Sequence, residues 1–332
     1  MNKYQWELTK SKELRDSLIN ERLNFLYEAI QKQAHDNAMR VTGKAGDDKQ
    51  YFTRRVGRQE KFAKDLNESM RPEYLKRDKF LKDIYAEEYR TSYFMNQYTM
   101  ENTGLLAGYA IKIPRYTKKQ FKQALEYPLS KLMNPKKMKV ARTVDIEQLY
   151  DTIITGVQNG YSLPKINKNL DINLGFRDLN GKWVKDISER AGQQYKTQRI
   201  LRTEIPRIRE DAATDSWLQS QEVMESKLTL VETLDIRTRR QSVIMDGKKS
   251  NSKGEFLYPD GNGWHRLRQS GIAKYDINDR GSTIVIDEEY PPESRIQRDP
   301  LTGVNSIQPY TNADDWVKAK GLKRNKYGEI LF

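Results

Sequence analysis

The stretch KSKELRDSLINERLNFLYEAIQKQAHDNAM, residues 10–39, decides the fold class. Its apolar positions Leu14, Leu18, Phe25, Leu26, Ala29 and Ile30 recur at steps of three and four, with Glu, Arg, Lys and Asn between them, which predicts a long amphipathic helix. Working outward, VTGKAGDD (residues 41–48) supplies the Gly and Asp expected to break it. A second helix is expected through Tyr51, Phe52, Val56, Phe62 and Leu66, ending near Arg71-Pro72. A third runs through Leu75, Leu81, Ile84 and Tyr85 into Tyr89, Tyr93, Phe94 and Tyr98. That aromatic stripe reads as core or interface in preference to a base-stacking platform.

Gly104, Gly108, Pro114, Pro128 and Pro135 then punctuate an irregular linker with one short helix around residues 118–125. Helical spacing resumes over 144–159, Gly160 stops it, and Ser162 can cap a short helix carrying Ile166 and Leu170. FRDLNGKWV (176–184) reads as a hairpin with a two-residue Asn180-Gly181 turn, and a long helix over 187–224 is expected to kink at Pro206. LTLVETLD (228–235) and STIVIDEEY (282–290) are the strand candidates. From Asp299 the chain reads as a loose tail, with a short helix at 313–320 and a basic finish at Lys318, Lys320, Lys323, Arg324 and Lys326. The expected architecture is mostly α: an elongated N-terminal helical region (1–102), a basic linker (103–143), a helical and small mixed α+β module (144–298) and a basic tail (299–332).

Composition excludes several classes. No run of this 332-residue chain approaches the roughly 20 apolar residues of a membrane span, and its start lacks the apolar core of a secretory signal, so a soluble, unprocessed chain is expected. The absence of Cys excludes disulfides, iron–sulfur clusters, thiolate zinc and cysteine nucleophiles. His35 and His265 are too few for a His-rich metal centre, so no cofactor is expected.

The net charge of +13 is uneven: residues 1–140 hold 29 Lys+Arg and 18 Asp+Glu, a balance of +11, whereas 141–332 hold 30 and 28, a balance of +2. Between residues 111 and 142, ten cations (Lys112, Arg115, Lys118, Lys119, Lys122, Lys131, Lys136, Lys137, Lys139, Arg142) face one acid, Glu126. Such a run suits a phosphate backbone or an acidic protein surface, because neutralised phosphates release counterions without any reading of sequence. No base-reading helix motif accompanies it, so DNA contact is expected to be non-specific.

The remaining polar signal is Arg202-Thr203-Glu204, followed by Asp235-Ile236-Arg237-Thr238 and then Asp246-Gly247. Two residues apart on one helix, Arg202 and Glu204 face different sides and must find separate partners; Asp235, Arg237 and Asp246 are complementary candidates. Here the sequence resembles the Mu F-like minor head proteins, or head morphogenesis proteins, of tailed bacteriophages. Leu201–Glu204 is similar to that family's Ala-Arg-Thr-Glu helix, Asp235, Arg237 and Thr238 to its Asp-x-Arg-Thr, and Asp246-Gly247 to an Asp-Gly eleven residues beyond the first Asp. The element ending Gly156-Val157-Gln158-Asn159-Gly160 is similar to its Gly-Ile-x-x-Gly. The resemblance covers about 145–297. It departs where many relatives place His or Cys, at Arg239 and Ser242, and where a Cys-Arg-Cys gives way to Pro291-Pro292-Glu293-Ser294-Arg295-Ile296. A thiolate zinc site cannot form from these residues.

The resemblance implies an internal component of the virion head, present in the host cytoplasm during assembly. It implies portal, capsid or scaffolding proteins and packaged double-stranded DNA as partners, no membrane in the particle, and roles in head morphogenesis and in DNA packaging or ejection. The motif residues Arg202, Thr203, Glu204, Asp235, Arg237, Thr238, Asp246 and Gly247 are then structural and the chain is not an enzyme. Two rivals stand beside it: a metal-dependent DNA-processing enzyme using Glu204, Asp235 and Asp246, and a free non-specific DNA-binding protein. His265 lacks a Ser or Asp at a known triad spacing, and Gly254, Gly261 and Gly263 read as loop punctuation, not a phosphate cradle.

Overall fold

The computed structural model describes residues 3–45, 56–106, 108, 110, 112–126, 135–185, 191–223, 226–232, 239–259, 263–276, 281–286, 294–298, 305–309, 323–324 and 330–331. Helix accounts for 72% of what is described, so the chain is mostly α, with a long N-terminal helical region and small strands confined to the C-terminal part. The helices α1 (Lys3–Ala45), α2 (Val56–Leu106), α3 (Lys118–Leu125), α4 (Pro135–Gln158), α5 (Leu163–Leu174) and α6 (Gly192–Ser220) come first. They are followed by β1 (Lys227–Val231), α7 (Arg240–Met245), β2 (Phe256–Leu257), β3 (Trp264–His265), α8 (Ala273–Asp276) and β4 (Ser282–Ile286). Two short two-stranded sheets close the order: β5 (Ser294–Arg298) with β6 (Asn305–Pro309), then β7 (Lys323–Arg324) with β8 (Ile330–Leu331). Part of the tail expected to be loose is therefore strand, and residues 313–320 lie outside the described residues.

Contacts divide the chain into two compact units, each assembled from segments distant in sequence: 14–84 with 130–201, and 1–13 with 85–129 and 202–332. In the first unit, α1 buries Ile19, Leu23, Tyr27, Ile30, Ala34, Ala38 and Val41. This corrects the sequence reading, because Leu14 (64% exposed), Leu18 and Phe25 (70% exposed) point away from the core. At roughly 3.6 residues per turn the two sets lie on opposite sides of the helix, so α1 carries two apolar stripes and only one is covered. The helix also runs past the expected break through Gly43 to Ala45, with Val41 buried and the Thr42 hydroxyl donating to Ala38 O at 2.9 Å. Likewise α2 does not stop at Pro72: the buried face continues through Leu66, Met70, Tyr74, Leu81 and Ile84 and outweighs the one helical hydrogen bond that proline removes.

Four helices of this unit meet at Gln193. Its carbonyl accepts from Tyr27 Oη on α1 at 3.0 Å, its side-chain oxygen accepts from Tyr74 Oη on α2, and its amide donates to Asp145 O on α4 at 2.9 Å. Buried polar backbone and side chains are thereby satisfied where the helices converge. On α4, Gly156 lets α5 close in: a Cβ there would stand 2.6 Å from Ile166 Cγ1. Gly175 (φ 103°) ends α5 in the left-handed conformation that glycine adopts without strain. The hairpin that follows is real but its turn differs from expectation. Asp178 N donates to Lys182 O and Gly181 N to Asp178 O, with Gly181 at φ 81°, which makes a three-residue loop.

The second unit centres on a core of Met100, Ile113, Trp217, Leu228, Leu230, Met245, Phe256, Tyr258, Leu267 and Tyr275. β1 and β4 pair antiparallel, Leu228 opposite Val285 and Leu230 opposite Thr283, within the two stretches predicted as strands. α6 continues through Pro206, where a kink was expected, and spans Gly192–Ser220, shorter than 187–224.

Candidate functional site

The basic stretch is more ordered than a linker. Residues 103–106 finish α2, and residues 135–143 belong to α4, whose opening Pro135 sits where a helix has no use for an amide donor. Between them, the segment from Lys112 is fastened to α2. Ile113 is buried, its N–H donates to Glu101 Oε1 at 2.8 Å, and its carbonyl accepts from Gln97 Nε2 at 2.6 Å. Tyr93 Oη donates to Pro114 O at 2.7 Å. Tyr116 then enters an aromatic cluster with Tyr89, Tyr93, Phe94 and Phe121, at centroid distances of 5.2 to 5.8 Å. Thr117 starts α3 with a capping box: its side chain accepts from Gln120 N while Gln120 Oε1 accepts from Thr117 N.

With Ile113, Tyr116, Phe121 and Ala124 turned inward, Lys112, Arg115, Lys118, Lys119 and Lys122 are left exposed. Lys136, Lys137 and Lys139 are exposed on α4, in the other unit, and Lys131 lies outside the described residues. Arg142 has a different task from the one expected. It pairs with buried Asp78, which also accepts from Arg77 at 3.0 Å, and Arg77 reaches Asp145 at 2.7 Å. That guanidinium is engaged in holding α4 to α2, not offered to a ligand.

Of the motif, Arg202 is exposed on α6, Thr203 is half-buried, and Glu204 is buried. Glu204 pairs with Arg207 at 3.0 Å, one turn along the same helix. Asp235, Arg237 and Thr238 lie outside the described residues. Asp246-Gly247 forms the turn after α7. Asp246 Oδ1 accepts from Glu232 N at 2.8 Å, Gly247 N (φ 78°) donates to Leu230 O at 2.8 Å, and Ser250 N donates to Leu228 O at 2.8 Å. The Asp-Gly turn thus lays residues 247–250 along β1 and satisfies its edge.

Sequence reasoning missed the densest polar network, which continues from Glu204 along α6. Arg207 donates to Asp211 at 2.8 Å and to the carbonyl of Ala124 on α3. Arg266 donates to Asp215 at 2.9 Å and lies 3.7 Å from Asp211, which also accepts from Gln269. Tyr89 Oη donates to Asp215 at 2.7 Å. Burial pushes the Asp211 carboxyl up to about 6 against the pull of Arg207 and Arg266, and burial together with Asp215 raises the Tyr89 phenol. Asp211, Asp215, Arg266 and Gln269 border a cavity of about 590 Å³ that Gln120, Gln123 and Ala124 of α3 also line. The spacing Arg207, Asp211, Asp215, one helical turn per step, was the available signal. This set of charges, most of them buried, fixes α6 against α3 and the 266–269 turn.

Comparison of the chain with protein-family models, with curated proteins and with solved structures found no match.

Proposed function

We propose that the chain is a minor head protein of a tailed phage, an internal structural component that sits near the portal and touches packaged DNA without reading its sequence. The pattern from Arg202-Thr203-Glu204 to Asp246-Gly247 carries the reading. Three of its described members do structural work in support: Glu204 neutralises the buried Arg207, and Asp246 and Gly247 close the edge of β1. Carboxylates already engaged by a guanidinium or a backbone amide suit a brace better than an open metal site, whose ligands must be free to turn to the ion.

The composition of purified particles tests the proposal. Quantitative mass spectrometry of gradient-purified heads from the source of this chain should find it at a constant, low copy number relative to the major shell protein. Its absence from particles, with the chain abundant in the surrounding lysate, would contradict the reading and favour a free DNA-binding protein.

A further inference from the structure

Resting on that reading, we propose that the face formed by residues 112–122 together with Arg90 is a preformed binding surface for the phosphate backbone of duplex DNA. Of the apolar side chains between Lys112 and Ala124, Ile113 and Ala124 are buried, Tyr116 and Phe121 are half-buried in the aromatic cluster, and Pro114 is exposed. Arg90 on α2 lies exposed with its guanidinium 4.9 Å from the Phe121 ring centroid, which places a sixth cation beside Lys112, Arg115, Lys118, Lys119 and Lys122.

On α3, Lys118, Lys119 and Lys122 share one side of the helix, away from Ala124. Among the described acids, Glu126 is exposed and 3.9 Å from Lys122, and Glu101 accepts from Ile113 N at 2.8 Å in the same segment. What remains on the outside is a surface dominated by cations, with Phe94 of the aromatic cluster (41% exposed) and Pro114 the exposed apolar side chains beside them. Protein interfaces draw most of their energy from buried aromatic and apolar anchors, whereas a polyphosphate needs only cations held in place. The backbone hydrogen bonds at Ile113 and Pro114 and the capping box of α3 hold them, so little ordering entropy is lost on binding.

Fluorescence anisotropy with a duplex of mixed sequence, over a series of salt concentrations, tests this on the full chain. The triple variant Arg115→Gln, Lys118→Gln, Lys119→Gln is compared with Lys32→Gln, Lys61→Gln, Lys82→Gln, a control of equal charge change at exposed positions in the other unit. The first should flatten the slope of log K against log salt by about 0.9 per cation lost and weaken binding at least tenfold, while the control stays near the parent. Equal effects of the two variants would overturn the proposal, since net charge alone would then explain binding. So would competition by poly-glutamate as effective as by unlabelled duplex, which would point to an acidic protein partner, or no binding by the parent. Incorporation into particles is scored separately: a chain that enters heads but binds DNA elsewhere defeats this inference and leaves the proposed function standing.

Discussion

Asp211 shows how much a single buried residue can weigh. It is held by Arg207, Arg266 and Gln269, yet burial pushes its carboxyl up to about 6, above the roughly 3.9 of an unfolded aspartate. The folded state therefore binds more protons between those values, and the contribution of this group to stability is present below about pH 3.9 and lost as pH rises through about 6. Asp171 acts with the opposite sign: burial opposes its charge, but donors from His35, Gln31 and Arg177 at 2.8, 2.6 and 3.0 Å outweigh that and lower its carboxyl, so its contribution is lost as pH falls. Asp211→Asn isolates the first effect. Urea denaturation across pH 4 to 7 should show the variant gaining on the parent by on the order of 3 kcal/mol as pH rises, and parallel curves would contradict the assignment. None of this was read from the sequence, which drew attention to Arg202 and Glu204. The i, i+4, i+8 spacing of Arg207, Asp211 and Asp215 was visible, but nothing in it says that Arg266 and Gln269 come to meet them.

At the scale of elements, the sequence was most legible where local chemistry settles the outcome. Residues 118–125 were expected as a helix and form α3, because Thr117 and Gln120 cap it and its apolar side is short and unambiguous. It was least legible where two local signals compete. On α1 the exposed Leu14, Leu18 and Phe25 keep helical spacing as well as the buried Ile19, Leu23 and Tyr27 do, so spacing alone cannot choose the inner face. Pro72 and Pro135 were read as punctuation, yet one lies inside α2 and the other opens α4. For Pro72 this has a consequence that can be measured. Proline in a helix interior is about 3 kcal/mol less favourable than alanine, so Pro72→Ala should raise stability by about 1 to 3 kcal/mol and the melting temperature with it. A lower melting temperature would mean that the ring itself packs against the core, and that continuity of α2 depends on it.

For the whole molecule, the division into two units built from interleaved segments depends on contacts between residues more than a hundred positions apart, such as Tyr27 with Gln193 and Glu88 with Arg209, and no local pattern announces these. Charge was legible as a sum and not as a surface: of the ten cations between residues 111 and 142, Arg142 is engaged by Asp78, and the exposed remainder that is described is shared between the two units. Under the proposed function the motif carboxylates brace the fold of a structural protein and do not hold a catalytic metal. Thermal melting of the parent and of Glu204→Gln, each with and without manganese, run beside a DNA cleavage assay, tests it most directly. Glu204→Gln should be less stable by about 1 to 3 kcal/mol, because Arg207 keeps Asp211 but loses a charged partner, with the same deficit in both conditions and no cleavage by either protein. Manganese-dependent stabilisation of the parent that Glu204→Gln loses, together with metal-dependent cleavage abolished in a folded variant, would contradict it.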